Sequence, residues 1–217
     1  MPDLLSTWLR DSRAARWGLA GLAAAVGLGA IAFGAYSWYG AQESRGRLAL
    51  AAAVDLAQLV GAPGAAPDAR DRAIRALEGV LADHPRFSAA SEAAYRLGNL
   101  RYDAGQYGTA RGAYEIAIGK GATGTLRTLA ALGIAYSWEA EKDHGKAQTA
   151  FQAALARLSP KDFLYEEGLL GLARVQEFGG NAGAARETYA RLLKERPDTR
   201  RADDIRSRLA SLESLPK

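Results

Sequence analysis

Four alanines, Ala73, Ala110, Ala147 and Ala185, recur at intervals of 37, 37 and 38 residues, each followed four residues later by a bulky side chain: Leu77, Tyr114, Phe151 and Tyr189. A recurrence of this length constrains the fold more tightly than any single motif. One unit of that size cannot bury an apolar face alone, so neighbouring units must stack to form a continuous core.

The best-formed unit begins at Ser91 and reads SEAAYRLGNLRYDAGQYGTARGAYEIAI. It predicts two helices, Tyr95 to about Ala104 and Tyr107 to Ile118, hinged at Gly105, where a positive φ is cheap for glycine. Leu132-Gly133, Tyr136, Ala147, Phe151, Ala154 and Pro160 repeat the frame downstream if the turn between the two helices carries two extra residues. Leu172-Ala173, Gly180, Ala185, Tyr189, Leu193 and Pro197 repeat it without a gap. A degenerate upstream copy has RDRAIRALEGVLADHP as its second helix and the alanine-rich run from Arg47 to Val60 as its first. Small residues sit where paired helices cross (Gly98, Gly133 and Ala173 on the first helices; Ala110, Ala147 and Ala185 on the second), because larger ones would force the helices apart. Tyr114, Phe151 and Tyr189 fill the space toward the next unit. The final segment places Ala202, Ile205, Leu209 and Leu212 on one helical face, as a solvating cap requires.

Pattern and unit length resemble the tetratricopeptide repeat, a helix–turn–helix unit. The expected fold is therefore all-α: one N-terminal transmembrane helix, about four helical hairpins in a superhelix, and a capping helix. The expected segments are a tail over 1–16, a membrane span over 17–39, a degenerate first repeat with a long linking helix over 44–85, three repeats over 91–197 and the cap over 199–213.

The span WGLAGLAAAVGLGAIAFGAYSWY, residues 17–39, contains no charge. As a helix it extends roughly 34 Å, against about 30 Å of bilayer hydrocarbon. Trp17 lies at one edge and Tyr36, Trp38 and Tyr39 at the other, the places of interfacial aromatic belts. A cleavable signal peptide would have a shorter apolar run ending in small residues, which favours an uncleaved signal-anchor. Arg10, Arg13 and Arg16 precede the span and Arg45 and Arg47 follow it, a bias toward a cytoplasmic N-terminus. Leu5, Trp8 and Leu9 suit a segment lying along the cytoplasmic interface, with a disordered tail as the alternative.

Composition removes most chemistry. The 217 residues are 48% hydrophobic and 24% charged, with a net charge of +4 that is not gathered into a nucleic-acid-binding face. The absence of cysteine excludes disulfides, zinc–thiolate sites and a lipid-bearing cysteine. The two histidines, His84 and His144, fall in turns without partner groups nearby in sequence. GATGT, residues 121–125, lacks the ending of a phosphate loop, and no carboxylate pair stands out as an acid–base dyad. No enzyme activity, metal, cofactor, nucleic acid or small-molecule substrate is expected.

In the family this chain resembles, the first helices line a concave face, and ligand contacts come from set places on them. Carried onto this sequence, the first full unit gives Glu92, Tyr95, Asn99, Tyr102 and Asp103. The second gives Arg127, Ile134 and Trp138, among others, and the third Arg174, Glu177 and Phe178. Rigid amphipathic aromatics suit protein or peptide binding; the alternative for Tyr95, Trp138 and Phe178 is packing between helices. Over most of its length the layout of tail, span, alanine-rich helix and repeats is similar to the ancillary SecYEG translocon subunit family. That resemblance implies an inner-membrane protein with a periplasmic repeat domain. Its implied partners are translocon subunits, a membrane-anchored periplasmic folding factor or unfolded clients. The alternatives are a scaffold that assembles an envelope complex, or an adaptor with cytoplasmic repeats.

Overall fold

The computed structural model describes residues 13–214. The segment around Leu5, Trp8 and Leu9, expected along the membrane surface, lies outside that range. Among the described residues there are nine α-helices and no strand. They are α1 (Arg13–Gln58), α2 (Ala69–Asp83), α3 (Ala90–Asp103), α4 (Tyr107–Gly119), α5 (Gly124–Ala140), α6 (His144–Leu155), α7 (Tyr165–Phe178), α8 (Ala182–Glu195) and α9 (Ala202–Glu213).

The chain divides into two compact units, Met1–Arg45 and Gly46–Lys217. In the first, helix α1 from Trp17 onward is long and apolar enough to cross a membrane by length and composition. Leu19, Leu22, Val26, Leu28, Ile31 and Phe33 are all exposed there, and Trp38 and Tyr39 meet edge to face at 5.1 Å.

In the second unit each helix from α2 onward packs on the next in sequence, making hairpins α3–α4, α5–α6 and α7–α8. The first helices also touch along one face, α3 on α5 and α5 on α7. This is the two-layered, superhelical stacking expected of tetratricopeptide-like units. The degenerate unit adds Leu50 and Ala53 from the end of α1, with Ala73, Ile74, Leu77 and Val80 of α2 and Phe87, to a core shared with α3. Ile205 and Leu212 of α9 close the far end over Leu192 and Tyr189.

Stacking depends on where rings meet glycines. A Cβ on Gly98 of α3 would lie 2.5 Å from the Tyr114 ring, and one on Gly133 of α5 would lie 2.6 Å from the same ring. Tyr114 is therefore wedged between its own unit and the next. Phe151 repeats the arrangement against Gly171 of α7, where a Cβ would come within 2.3 Å.

The turns correct one expectation. Gly105 and Gly180 adopt positive φ, as their places in the hairpin require, and Lys142 does the same at φ 62°. Each is followed by the same hydrogen bond: Gln106 N–H to Arg101 O, Asp143 N–H to Trp138 O and Asn181 N–H to Gln176 O. The second hairpin thus has no two-residue insertion in its turn. Its additional residues lie before the unit, at the start of α5. Consequently Ala135, not Gly133, stands where Gly98 and Ala173 stand in the other units. Gly133 instead corresponds to Gly171, the glycine that receives the preceding unit's ring. The second helices of the last two hairpins start on side-chain caps: Asp143 accepts from Lys146 N–H and Asn181 from Ala184 N–H, both at 3.1 Å.

Candidate functional site

The first helices present a groove that holds a pocket of about 380 Å³. Tyr95, Asn99 and Tyr102 from α3 form one wall and Leu129, Leu132 and Tyr136 from α5 the other, with Tyr114 at the base and Glu167 of α7 at the far side. Helical spacing explains the grouping: 95, 99 and 102 share one face of α3, and 129, 132 and 136 share one face of α5.

Tyrosine hydroxyls dominate its chemistry. Tyr114 donates to Asn99 Oδ1 at 2.9 Å and Tyr136 donates to Glu167. Burial is the main reason that both phenols titrate well above their ordinary value of 10.0. Tyr95, Asp103 and Tyr102 add to it for Tyr114, and the hydrogen bond to Glu167 adds to it for Tyr136. The Tyr102 pKa is also raised, first by burial and then by Tyr107, Glu139 and Asp103. These hydroxyls therefore remain donors throughout the physiological range. Tyr95 and Tyr102 make ring contacts with Tyr114 and Tyr107, but their hydroxyls bond no described residue. They are free to bond an occupant.

Ion pairs connect successive first helices along the same face. Arg174 of α7 forks onto Glu139 of α5, with its second bond at 2.8 Å, and this carboxylate holds the guanidinium charged. Arg201 at the head of α9 reaches Glu167 at 3.3 Å, and Arg208 reaches Glu177 at 3.2 Å. Leu170, Arg174, Glu177, Phe178, Tyr189 and Arg208 line a smaller hollow of about 170 Å³ between α7 and α9, where Phe178 is 60% exposed.

The structure brings together Tyr95, Asn99 and Tyr102 in the pocket, and Arg174, Glu177 and Phe178 in the smaller hollow. Glu92 flanks them, paired with Arg96, and Asp103 is exposed at the end of α3. It does not place Arg127, Ile134 or Trp138 with them. Trp138 lies between second helices, its ring 3.5 Å from the Arg111 guanidinium of α4 and 4.4 Å from Lys146 Nζ of α6. Arg127 and Ile134 line a separate cleft on another face of α5. The register error explains all three: sliding α5 by two residues puts Leu129, Tyr136 and Ala140 at their places in the repeat, and Glu139 at the place of Tyr102. The signal was present in the sequence, since Lys142-Asp143-His144 aligns with Gly105-Gln106-Tyr107 once a non-glycine is allowed at the turn.

Among the described residues, no three His, Asp or Glu side chains gather to hold a metal. His144 rests against Phe178, with ring centroids 6.1 Å apart.

Models of the tetratricopeptide repeat match residues 70–125 and 95–163, and a second such model matches 167–199. No curated protein matches the chain. Among solved structures, the crystal structure of nearly identical TPR-like repeats from a Podosopora anserina kinesin light chain is 16% identical. It covers 78% of this chain and 83% of its own, with a TM-score of 0.55, a likeness of fold alone. A thermophilic TPR protein of Thermus thermophilus is 20% identical over 78% of this chain and 100% of its own, with a TM-score of 0.34.

Proposed function

The chain belongs to the tetratricopeptide-repeat proteins, and from that premise we propose that it is a membrane-anchored, non-enzymatic protein-interaction module whose first-helix groove holds a segment of another polypeptide. The observation that carries this reading is the tyrosine-walled pocket, lined also by Leu129, Leu132 and Leu164, with the unpartnered hydroxyls of Tyr95 and Tyr102 among its walls. An apolar side chain of the partner fills the pocket, while the free hydroxyls bond its backbone carbonyls.

The uncharged, exposed stretch over residues 17–39 supports a single membrane span, and the arginines flanking it support a cytoplasmic N-terminus with the repeats in the periplasm. The layout of anchor, alanine-rich helix and repeats supports a role beside the Sec translocon, assisting secretion or folding of translocated proteins. A scaffold for one folded envelope complex is the second reading; it is favoured by the ion pairs that already engage Arg174, Arg201 and Arg208 and stiffen the face.

Photoreactive residues at Tyr102 and Tyr136, crosslinked in intact membranes, separate the two. Translocon subunits or emerging chains among the products support the first reading, and a single unrelated complex supports the second. A compartment-specific reporter fused after Lys217 tests orientation, and activity confined to the cytoplasm would overturn the periplasmic assignment.

A further inference from the structure

A second surface adjoins the groove at Leu164 but is lined by other residues of α5. An open cleft of about 740 Å³ runs along a different face of α5, between the ends of α4 and α6 and the connection leading into α7. Its apolar lining includes Ile118, Ala131, Ile134, Ala150 and Leu158. At its lip Phe163 is 89% exposed, so its ring contributes almost nothing to the chain's own core.

The charges around this cleft differ from those of the groove. Arg127 and Arg157 line it, and neither guanidinium has an ion-pair or hydrogen-bond partner among the described residues. Most arginines of the groove side, Arg96, Arg174, Arg201 and Arg208 among them, are paired. The cleft's one carboxylate, Asp162, is exposed but engaged within its own turn: it accepts from Ser159 N–H at 2.7 Å and from Ser159 Oγ at 2.8 Å, which leaves the two arginines in excess. An apolar trough with two unsatisfied cations on its rim complements a helix that carries apolar residues on one face and carboxylates beside them. A flat lipid surface would meet Phe163 but leave the trough unfilled.

We infer that this cleft is a second docking site, taking an acidic amphipathic helix of a partner protein independently of the first-helix groove. The probe is a fluorescein-labelled 16-residue helical peptide with leucine at i, i+3, i+4 and i+7 and glutamate between them. Its counterpart has lysine for each glutamate. Anisotropy is read against the full chain in neutral-lipid nanodiscs. The glutamate peptide is expected to bind about tenfold more tightly than the lysine peptide. The pair Arg127→Glu with Arg157→Glu removes that preference, Phe163→Ala weakens binding severalfold, and Arg186→Glu on α8 leaves it unchanged. Far-UV circular dichroism confirms that each variant is folded. Equal binding of the two peptides, no binding of either, or binding indifferent to Arg127 and Arg157 overturns the inference. So does failure of the glutamate peptide to compete when anionic phosphatidylglycerol vesicles bind through Phe163.

Discussion

At the scale of single residues, the stacked units depend on glycine facing a ring. Gly171 has a buried Phe151 ring where its Cβ would be, whereas Gly79 in α2 faces open space. Gly171→Ala should destabilise the protein by about 1–3 kcal/mol through overpacking, and Gly79→Ala should stabilise it by about 0.5–1 kcal/mol through helix propensity. Urea unfolding followed by circular dichroism measures both, and the same sign for the two would contradict the packing described. Lys142 offers the converse case. It holds a left-handed conformation that its counterparts Gly105 and Gly180 adopt without a side chain. Lys142→Gly should raise the unfolding midpoint, by about 1 kcal/mol or somewhat more in stability, and a fall would show that the lysine is favoured there by contacts beyond the backbone. This residue also marks where the sequence was hardest to read. The alanines, the rings and the glycine turns identified the repeat, because each sits where packing admits few alternatives. The lysine disguised the turn of the second hairpin, and Leu132-Gly133 supplied a false match because Gly133 answers to the preceding unit's ring and not to its own hairpin.

At the scale of elements, the groove is a set of first-helix faces held in register by side chains that cross between them. Its walls on α3 and α7 were legible from the repeat places alone, and its α5 wall was not, since a slip of two residues turns a helix by more than half a revolution. The tyrosines that build the pocket also give a pH signature. Their folded pKa values are raised above 10.0, chiefly by burial, so the protonated phenol is the form the fold favours. That contribution is complete below pH 10.0 and is lost as pH rises from there through the raised folded values. Urea midpoints should be insensitive to these phenols between about pH 7 and 9 and should decline above about pH 10. Tyr114→Phe, which deletes the titrating group while keeping the ring, should make that decline shallower; an unchanged slope would remove Tyr114 from the account.

At the scale of the whole molecule, the repeat unit is open at both ends and each end has its own closure. Toward the N-terminus the end of α1 supplies Leu50 and Ala53, and toward the C-terminus α9 supplies Ile205 and Leu212. Ending the chain before α9 would uncover the apolar side of α7 and α8. Burial of two such side chains contributes about 3–6 kcal/mol, so the truncated protein should melt lower and associate in a concentration-dependent way. Sedimentation together with thermal melts would show it, and an unaltered midpoint would mean that α9 is not a cap.

The wedged rings carry one more consequence. Tyr114 is received by Gly133 and Phe151 by Gly171, but the matching place in the 91–118 unit is held by Arg96. These modules are therefore not interchangeable bricks. Each donor ring has an assigned recipient, so the order of the hairpins is written into the chain. A tandem duplication of the 91–118 module would press a tyrosine onto an arginine. Lengthening this array in evolution or by design thus requires copying a donor together with its recipient, a span that straddles two hairpins.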